Sequence, residues 1–227
     1  DAVADAAEAP RLSELSRALG YSKSTTHGLV HALVDVGALE QDPDTKRLWL
    51  GPSIVELAYK NRDHLFLGEQ AQPLLDELRD RIDETVCFGM MSRSRTLIMA
   101  TAEARKSMKI SALPGTGIPL LAGAVGKVFL AQMDDAAARR TLRALTLPRF
   151  TSASIVDEGR YLAEVDAVRR AGAAVDVGEY LSGVNAVAVG LGRRRGIPLA
   201  LWAVGFAESM DKQKTAAVVE AALQTAS

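Results

Sequence analysis

The sequence predicts an α+β protein: an N-terminal helix-turn-helix with a β-hairpin wing, a linker helix, and a larger domain whose antiparallel sheet is flanked by helices. Three observations predict it. Two short helical patterns meet at Gly20 and lead directly into a turn-rich hairpin that ends at Leu50. A strand-like pattern begins at Thr85, yields to helical patterns from Gly126 to Ala171, and resumes at Ala173. No internal repeat or low-complexity tract interrupts this order. The boundaries drawn from it are residues 1–52 for the winged helix-turn-helix, 53–67 for the linker helix and 68–227 for the larger domain.

The organising stretch is LSELSRALGYSKSTTHGLVHALVDVGALEQDPDTKRLWL, Leu12 to Leu50. Ser13 can accept from the free N–H groups that open a helix, Gly20 tolerates the left-handed turn that closes it, and Leu15, Ala18 and Leu19 share a face. Ser22 caps a second helix in which Thr26, Leu29, Val30 and Leu33 repeat at helical spacing and predict one buried stripe. The opposite stripe is Ser24, His27, Gly28, His31 and Asp35. Its N-terminal members, with Ser22, Lys23 and Thr25, are the small and hydrogen-bonding side chains that a recognition helix carries into the major groove. Gly37 ends this helix. Leu39–Gln41 and Arg47–Leu50 then pair as strands around Asp42-Pro43-Asp44-Thr45-Lys46, whose Pro and Asp suit a reversal. Lys46 and Arg47 near the wing tip are placed to reach a phosphate. Two helices joined by Gly also occur in plain helical cores; the hairpin directly after them points to double-stranded operator DNA.

Residues 1–50 hold five basic side chains, Arg11, Arg17, Lys23, Lys46 and Arg47, against eight acidic ones. Phosphate neutralisation supplies most non-specific affinity, so a single copy binds weakly and a homodimer or a dimer of dimers on paired half-sites is expected. Asp1–Ala9 reads as the end of a helix that begins before the sequence given.

Across the chain, 27 basic residues balance 28 acidic ones, which leaves no global field to steer it to nucleic acid or an anionic membrane. Cys87 is the single cysteine, so no intrachain disulfide forms and a reducing cytoplasm is the natural setting. No apolar run approaches the roughly 20 residues that span a bilayer, so no membrane partner is expected.

Gly51-Pro52 breaks the last reader strand, and Ser53 caps a linker helix from Ile54 to about Asp63, with Ile54, Leu57 and Ala58 on one side. Gly68 precedes a longer helix whose apolar stripe is Leu74, Leu75 and Leu78. Strand patterns follow at Thr85–Met91, Thr96–Ala100 and Met108–Ala112, the first two joined by a turn at Ser92–Arg95. Helices are expected at Gly126–Met133, Asp134–Leu145 and Asp157–Ala171, strands at Ala173–Val177, Asn185–Leu191 and Pro198–Val204, and a last helix at Asp211–Ala226. The run Arg193-Arg194-Arg195 between glycines reads as a solvated hairpin tip.

Several chemistries have no residues to carry them. All three histidines, His27, His31 and His64, lie in the first third of the chain, so the larger domain offers neither a Ser-His-Asp nor a Cys-His arrangement. A metal site, a phosphate loop and a dinucleotide fingerprint are each incomplete: Leu121 and Leu120 stand where the needed glycines would be. No enzyme, cofactor or metal is expected.

With these elements in order, the chain resembles the isocitrate-lyase-regulator family of bacterial transcription factors over essentially its whole length. The resemblance is carried by the reader, by QPLLDELRDRIDETV, by PLLAGAVGKVFLA at Pro119–Ala131, by VDEGRYLAEVDAVRRAGAAVDVGEYLSGVNAVAV and by PLALWAVGF. It implies a GAF-like C-terminal domain that binds a small organic effector and alters operator binding. It also implies an effector pocket lined by Ile118, Leu120, Ala124, Val125, Asp176, Ala186, Trp202 and Val204. Gly28 stands where the family commonly has Arg, and Trp202 and Val204 stand where members that bind small acids carry small hydroxyl residues. Such a pocket is largely apolar with Asp176 as its main polar group, which disfavours glyoxylate-like anions and suits an aromatic or largely apolar molecule with one donor. Two alternatives stay open: plain core packing with the Trp202 indole filling the cavity, and a small-molecule sensor or partner-binding module whose DNA reader is weakened.

Overall fold

The computed structural model describes residues 1–60 and 62–226, with backbone alone for 62–65. They fall into two compact units, Asp1–Leu65 and Phe66–Ser227.

The first unit contains α1 (Leu12–Leu19), α2 (Lys23–Asp35), β1 (Leu39–Gln41), β2 (Leu48–Leu50) and α3 (Pro52–Lys60). α1 opens at Arg11, whose N–H donates to the Glu14 carboxylate at 2.7 Å, so Ser13 lies inside the helix and is not its cap. Gly20 closes it at φ 68°. Ser22 caps α2, its hydroxyl accepting from the Thr25 N–H at 3.1 Å. β1 and β2 pair antiparallel with Leu39 opposite Leu50. Their turn is built on Asp42 Oδ1, which accepts from the Asp44 and Thr45 N–H groups and from the Thr45 hydroxyl.

The core of this unit is Leu15, Val30 and Leu48, with Leu12 and Val34 against it. Burial departs from the periodic stripes. Leu29 and Leu33 remain 48% and 44% exposed although Thr26 and Val30 are buried, and Leu19 is exposed while Ser16 is buried, its hydroxyl donating to the Tyr21 carbonyl. A helix stripe is covered only where another element reaches it, and among the described residues only its inner edge is covered. Residues 1–9 form turns and bends and no helix. Ser53 does not cap the linker helix; its hydroxyl donates to the Val36 carbonyl, and α3 starts at Pro52, which needs no N–H partner there. The part of the expected linker helix at Asn61 lies outside the described residues.

The second unit carries a six-stranded sheet in the order β5-β4-β3-β8-β7-β6, every neighbouring pair antiparallel. The strands are β3 (Thr85–Ser92), β4 (Arg95–Ala102), β5 (Gly117–Pro119), β6 (Ala173–Val177), β7 (Val184–Arg194) and β8 (Ile197–Phe206). One face packs on α4 (Arg62–Ile82) and α8 (Lys212–Thr225) through Leu75, Leu78, Val218 and Ala222 against Val86, Phe88, Val187 and Leu201. The other packs on α5 (Gly123–Ala131), α6 (Asp135–Leu145) and α7 (Glu158–Ala171) through Val125, Phe129, Leu142 and Val165 against Cys87, Ala188 and Trp202. Alternation along each strand supplies both faces, as period-two geometry requires. Asp134, Asp157 and Asp211 cap α6, α7 and α8, each accepting from the N–H three residues on.

Three expectations fail here. Gly68 lies within α4, where a side chain would meet the Met99 carbonyl at 2.6 Å, so it permits a close helix-to-sheet approach instead of preceding the helix. Leu74 is exposed while Leu75 and Leu78 are buried. Met108–Ala112 is no strand but part of an irregular strap, and the edge strand forms at Gly117–Pro119.

Candidate functional sites: an exposed helix face and an internal cavity

On the first unit, the cap Ser22 and Lys23, Ser24, Thr25, His27, Gly28 and His31 of α2 are all exposed. Ser22 bonds the Ser24 and Thr25 hydroxyls at 2.9 and 2.8 Å, making a small hydroxyl cluster at the positive end of the helix. His31 bonds Asp35 at 2.9 Å, and the His27 ring lies 6.2 Å from it, centre to centre. A side chain added at Gly28 would meet nothing within 4 Å. At the wing, Lys46 occupies the turn at φ 59° and is exposed. Arg47 is drawn inward: its guanidinium donates to the Ala9 carbonyl at 2.6 Å and pairs with Glu8 at 3.5 Å, so it braces the N-terminal segment and is not free at the wing tip.

The second unit encloses a cavity of about 370 Å³ between the inner sheet face, the N-terminus of α5 and two irregular segments. Ile118, Ala124, Val125, Asp176, Ala186, Trp202 and Val204 line it. Leu120 does not; it is buried in the core with Leu121 and Phe129. Sequence patterning missed the rest of the wall, above all Ile110, Leu113, Tyr180 and Leu181, which the structure places in irregular segments.

The first segment, the strap 103–116, is held along its length. The Thr85 hydroxyl donates to the Ile110 carbonyl and accepts from the Ala104 N–H, Lys106 pairs with the buried Glu84 at 2.6 Å, and at the far end the Ile98 N–H donates to the Thr116 carbonyl while the Ile98 carbonyl accepts from the Gly115 N–H. The second segment, 178–183, hangs on Asp176, which accepts from the Glu179 and Tyr180 N–H groups, and on Ser154, whose hydroxyl donates to the Glu179 carbonyl. Tyr180 meets Phe150 edge to face with ring centres 4.9 Å apart.

Asp176 is only 4% exposed. Burial is the main reason its carboxyl is pushed up to about 6; the N–H donors of Glu179 and Tyr180 and the Lys127 ammonium pull the other way. Its Oδ2 would stand 1.9 Å from any Cβ at residue 123, so only Gly, here at φ 54°, fits beneath it. Behind this wall Lys127, 1% exposed, is spent on Glu179 at 2.6 Å and Glu164 at 3.4 Å. Among the described residues neither Lys nor Arg lines the cavity; its polar groups are Asp176, Tyr180, Ser111 and Thr116. Cys87 is buried, with its thiol pushed up to about 12 by burial.

A helix-turn-helix with its polar residues exposed, followed by an α+β unit with a ligand-sized cavity, is the two-unit architecture of a ligand-responsive transcription regulator. Residues 60–227 match the C-terminal domain of the bacterial IclR transcriptional regulators, and residues 1–43 match the IclR helix-turn-helix domain. The chain belongs to the IclR family of transcriptional regulators. It is 28% identical to the regulator BhcR of Paracoccus denitrificans over 78% of its own length, and spans 63% of that relative. The crystal structure of an IclR transcriptional regulator from Alicyclobacillus acidocaldarius superposes with a TM-score of 0.75 at 26% identity, covering 96% of this chain and 88% of the other. An IclR homolog from Microbacterium hydrocarbonoxydans, solved with 4-hydroxybenzoate, shares the fold with a TM-score of 0.73 at 22% identity, covering 95% and 88%. Among the described residues no helix is long and apolar enough to cross a membrane.

Proposed function

We propose that this chain reads double-stranded operator DNA as a homodimer or dimer of dimers, and that a small neutral aromatic effector in the cavity changes its affinity for that DNA. The observation that carries the effector class is the wall itself: largely apolar, with no Lys or Arg among its described residues, and with one carboxylate able to accept from a hydroxyl or amine. A volume of about 370 Å³ sits at the lower end of ligand sites. The relative with 4-hydroxybenzoate supports an aromatic ring in this family. Here an ionised ligand carboxylate would face Asp176 with no positive partner, so a neutral phenol binds better than 4-hydroxybenzoate.

Assembly is supported by α3, where Ile54, Val55, Leu57 and Tyr59 are all exposed and no residue is buried. An uncovered apolar helix face fits a second copy. On DNA, Ser22, Lys23, Ser24, Thr25, His27 and His31 meet the major groove while Lys46 reaches a phosphate. The test is fluorescence anisotropy against DNA from upstream of the neighbouring genes, at two salt concentrations, with phenol and 4-hydroxybenzoate titrated in turn. The expected result is salt-sensitive binding whose midpoint shifts with phenol at lower concentration than with 4-hydroxybenzoate. A midpoint that no aromatic probe moves overturns the effector class, and a monomer by sedimentation overturns the assembly.

A further inference from the structure

We infer that Gly89, which does not touch the cavity, is a specificity-determining position of this site, because it gives the Trp202 indole a place to lie and so sets how much of the cavity stays open. The inference rests on the reading of the cavity as the effector site.

β3 and β8 pair with Cys87 opposite Trp202 and Gly89 opposite Ala200. Alternation therefore puts Cys87, Gly89, Ala200 and Trp202 on the face that borders the cavity. A Cβ at Gly89 would stand 2.9 Å from Trp202 Cη2 and 3.1 Å from Cζ3, so the outer ring of the indole fills the space a side chain would have taken. The neighbours on β7 are as small: Ala188 lies opposite Trp202, and Ala186 opposite Val204. The largest side chain in the wall thus reclines over the smallest ones, the size alternation by which a close-packed layer avoids voids. Trp202 is 4% exposed and forms a wall of the cavity without filling it. A side chain at position 89 evicts the ring, and the open volume that the ring already borders is the cavity.

The same Cβ would also meet the Leu97 carbonyl at 2.4 Å, beside the shift in strand register between Phe88 and Gly89, so Gly89→Ala strains the β3–β4 pairing as well. Two variants are therefore needed. A crystal structure of Gly89→Ala is expected to show the indole swung off β3 into the cavity, with phenol affinity lowered. Trp202→Ala extends the cavity over Gly89 and is expected to raise affinity for 2-naphthol relative to phenol by roughly tenfold, the scale on which apolar pockets discriminate size. Binding is followed by calorimetry, with circular dichroism confirming that each variant is folded.

An indole that stays on β3 in Gly89→Ala, or an unchanged naphthol-to-phenol ratio in Trp202→Ala, overturns the inference. If Gly89→Ala does not fold, the ratio in Trp202→Ala decides. If neither probe binds the unaltered chain, the effector reading falls and the ring position in Gly89→Ala alone decides the role of Gly89.

Discussion

The two units solve opposite problems. The first has a small core, a cluster of Leu15, Val30 and Leu48 with Leu39 also buried, and leaves Leu19, Leu29, Leu33, Leu50 and Ile54 exposed. The second buries two separate clusters on either side of one sheet and encloses empty volume in one of them. A small core cannot supply much stability, whereas a doubly covered sheet supports a cavity, a buried Lys127 and a reluctant Asp176. The difference teaches that recognition and sensing draw on separate reserves: the reader spends its surface on polar contacts, and the larger unit carries the stability that an empty site costs.

Substitutions at one point in each unit sharpen this contrast. Gly123→Ala should have the largest effect, since its methyl collides with Asp176 Oδ2 at a backbone conformation that disfavours side chains; the expected loss is about 3 kcal/mol or more in the unfolding of the larger unit. Leu48→Ala hollows the reader core and should cost about 2–5 kcal/mol. Calorimetry is expected to show the reader transition move while that of the larger unit stays, with DNA binding lost; a common shift of both would break the comparison.

Asp176 gives a pH signature confined to the larger unit. Its carboxyl rises from 3.8 to about 6 on folding, so folding takes up a proton. The associated stability is fully present below about pH 4 and is lost as pH climbs through about 6, roughly 2–3 kcal/mol in all for this buried group. Asp176→Asn should remove that increment from the pH dependence of thermal unfolding. Binding of a hydroxyl donor has the opposite trend, weakening below about pH 6 as the accepting carboxylate is protonated. The smallest effects lie on the reader surface. Lys23→Ala should lower the slope of log affinity against log salt by about one, and Gly28→Arg, whose side chain meets nothing within 4 Å, should raise it by about one with the fold intact. Unchanged slopes in anisotropy would remove α2 from the DNA interface.

Much of the cavity lining is legible in the sequence: the family resemblance implies Ile118, Ala124, Val125, Asp176, Ala186, Trp202 and Val204, all of which line it. Leu120 was not separable from them, since it lies two residues from Ile118 on a segment that turns its side chain into the core. The strap was read as a strand because Met108, Ile110 and Ala112 alternate with polar residues, yet its carbonyl at Ile110 is taken by the Thr85 hydroxyl and no neighbouring strand pairs with it.

By itself the sequence determined what depends on neighbours a few residues apart: the cap at Ser22, the stop at Gly20, the Asp42 turn, the helices that open near Asp134, Asp157 and Asp211, and the strands β6 to β8. Only the tertiary structure decided that Leu29 and Leu33 stay in water, that Arg47 braces Ala9, that Gly68 admits Met99, and that the indole of Trp202 rests on Gly89 and leaves the cavity open. Caps and turns are settled by backbone geometry within one or two turns of chain, whereas burial and empty volume are settled by which distant side chains arrive at the same place and how much room each leaves the other.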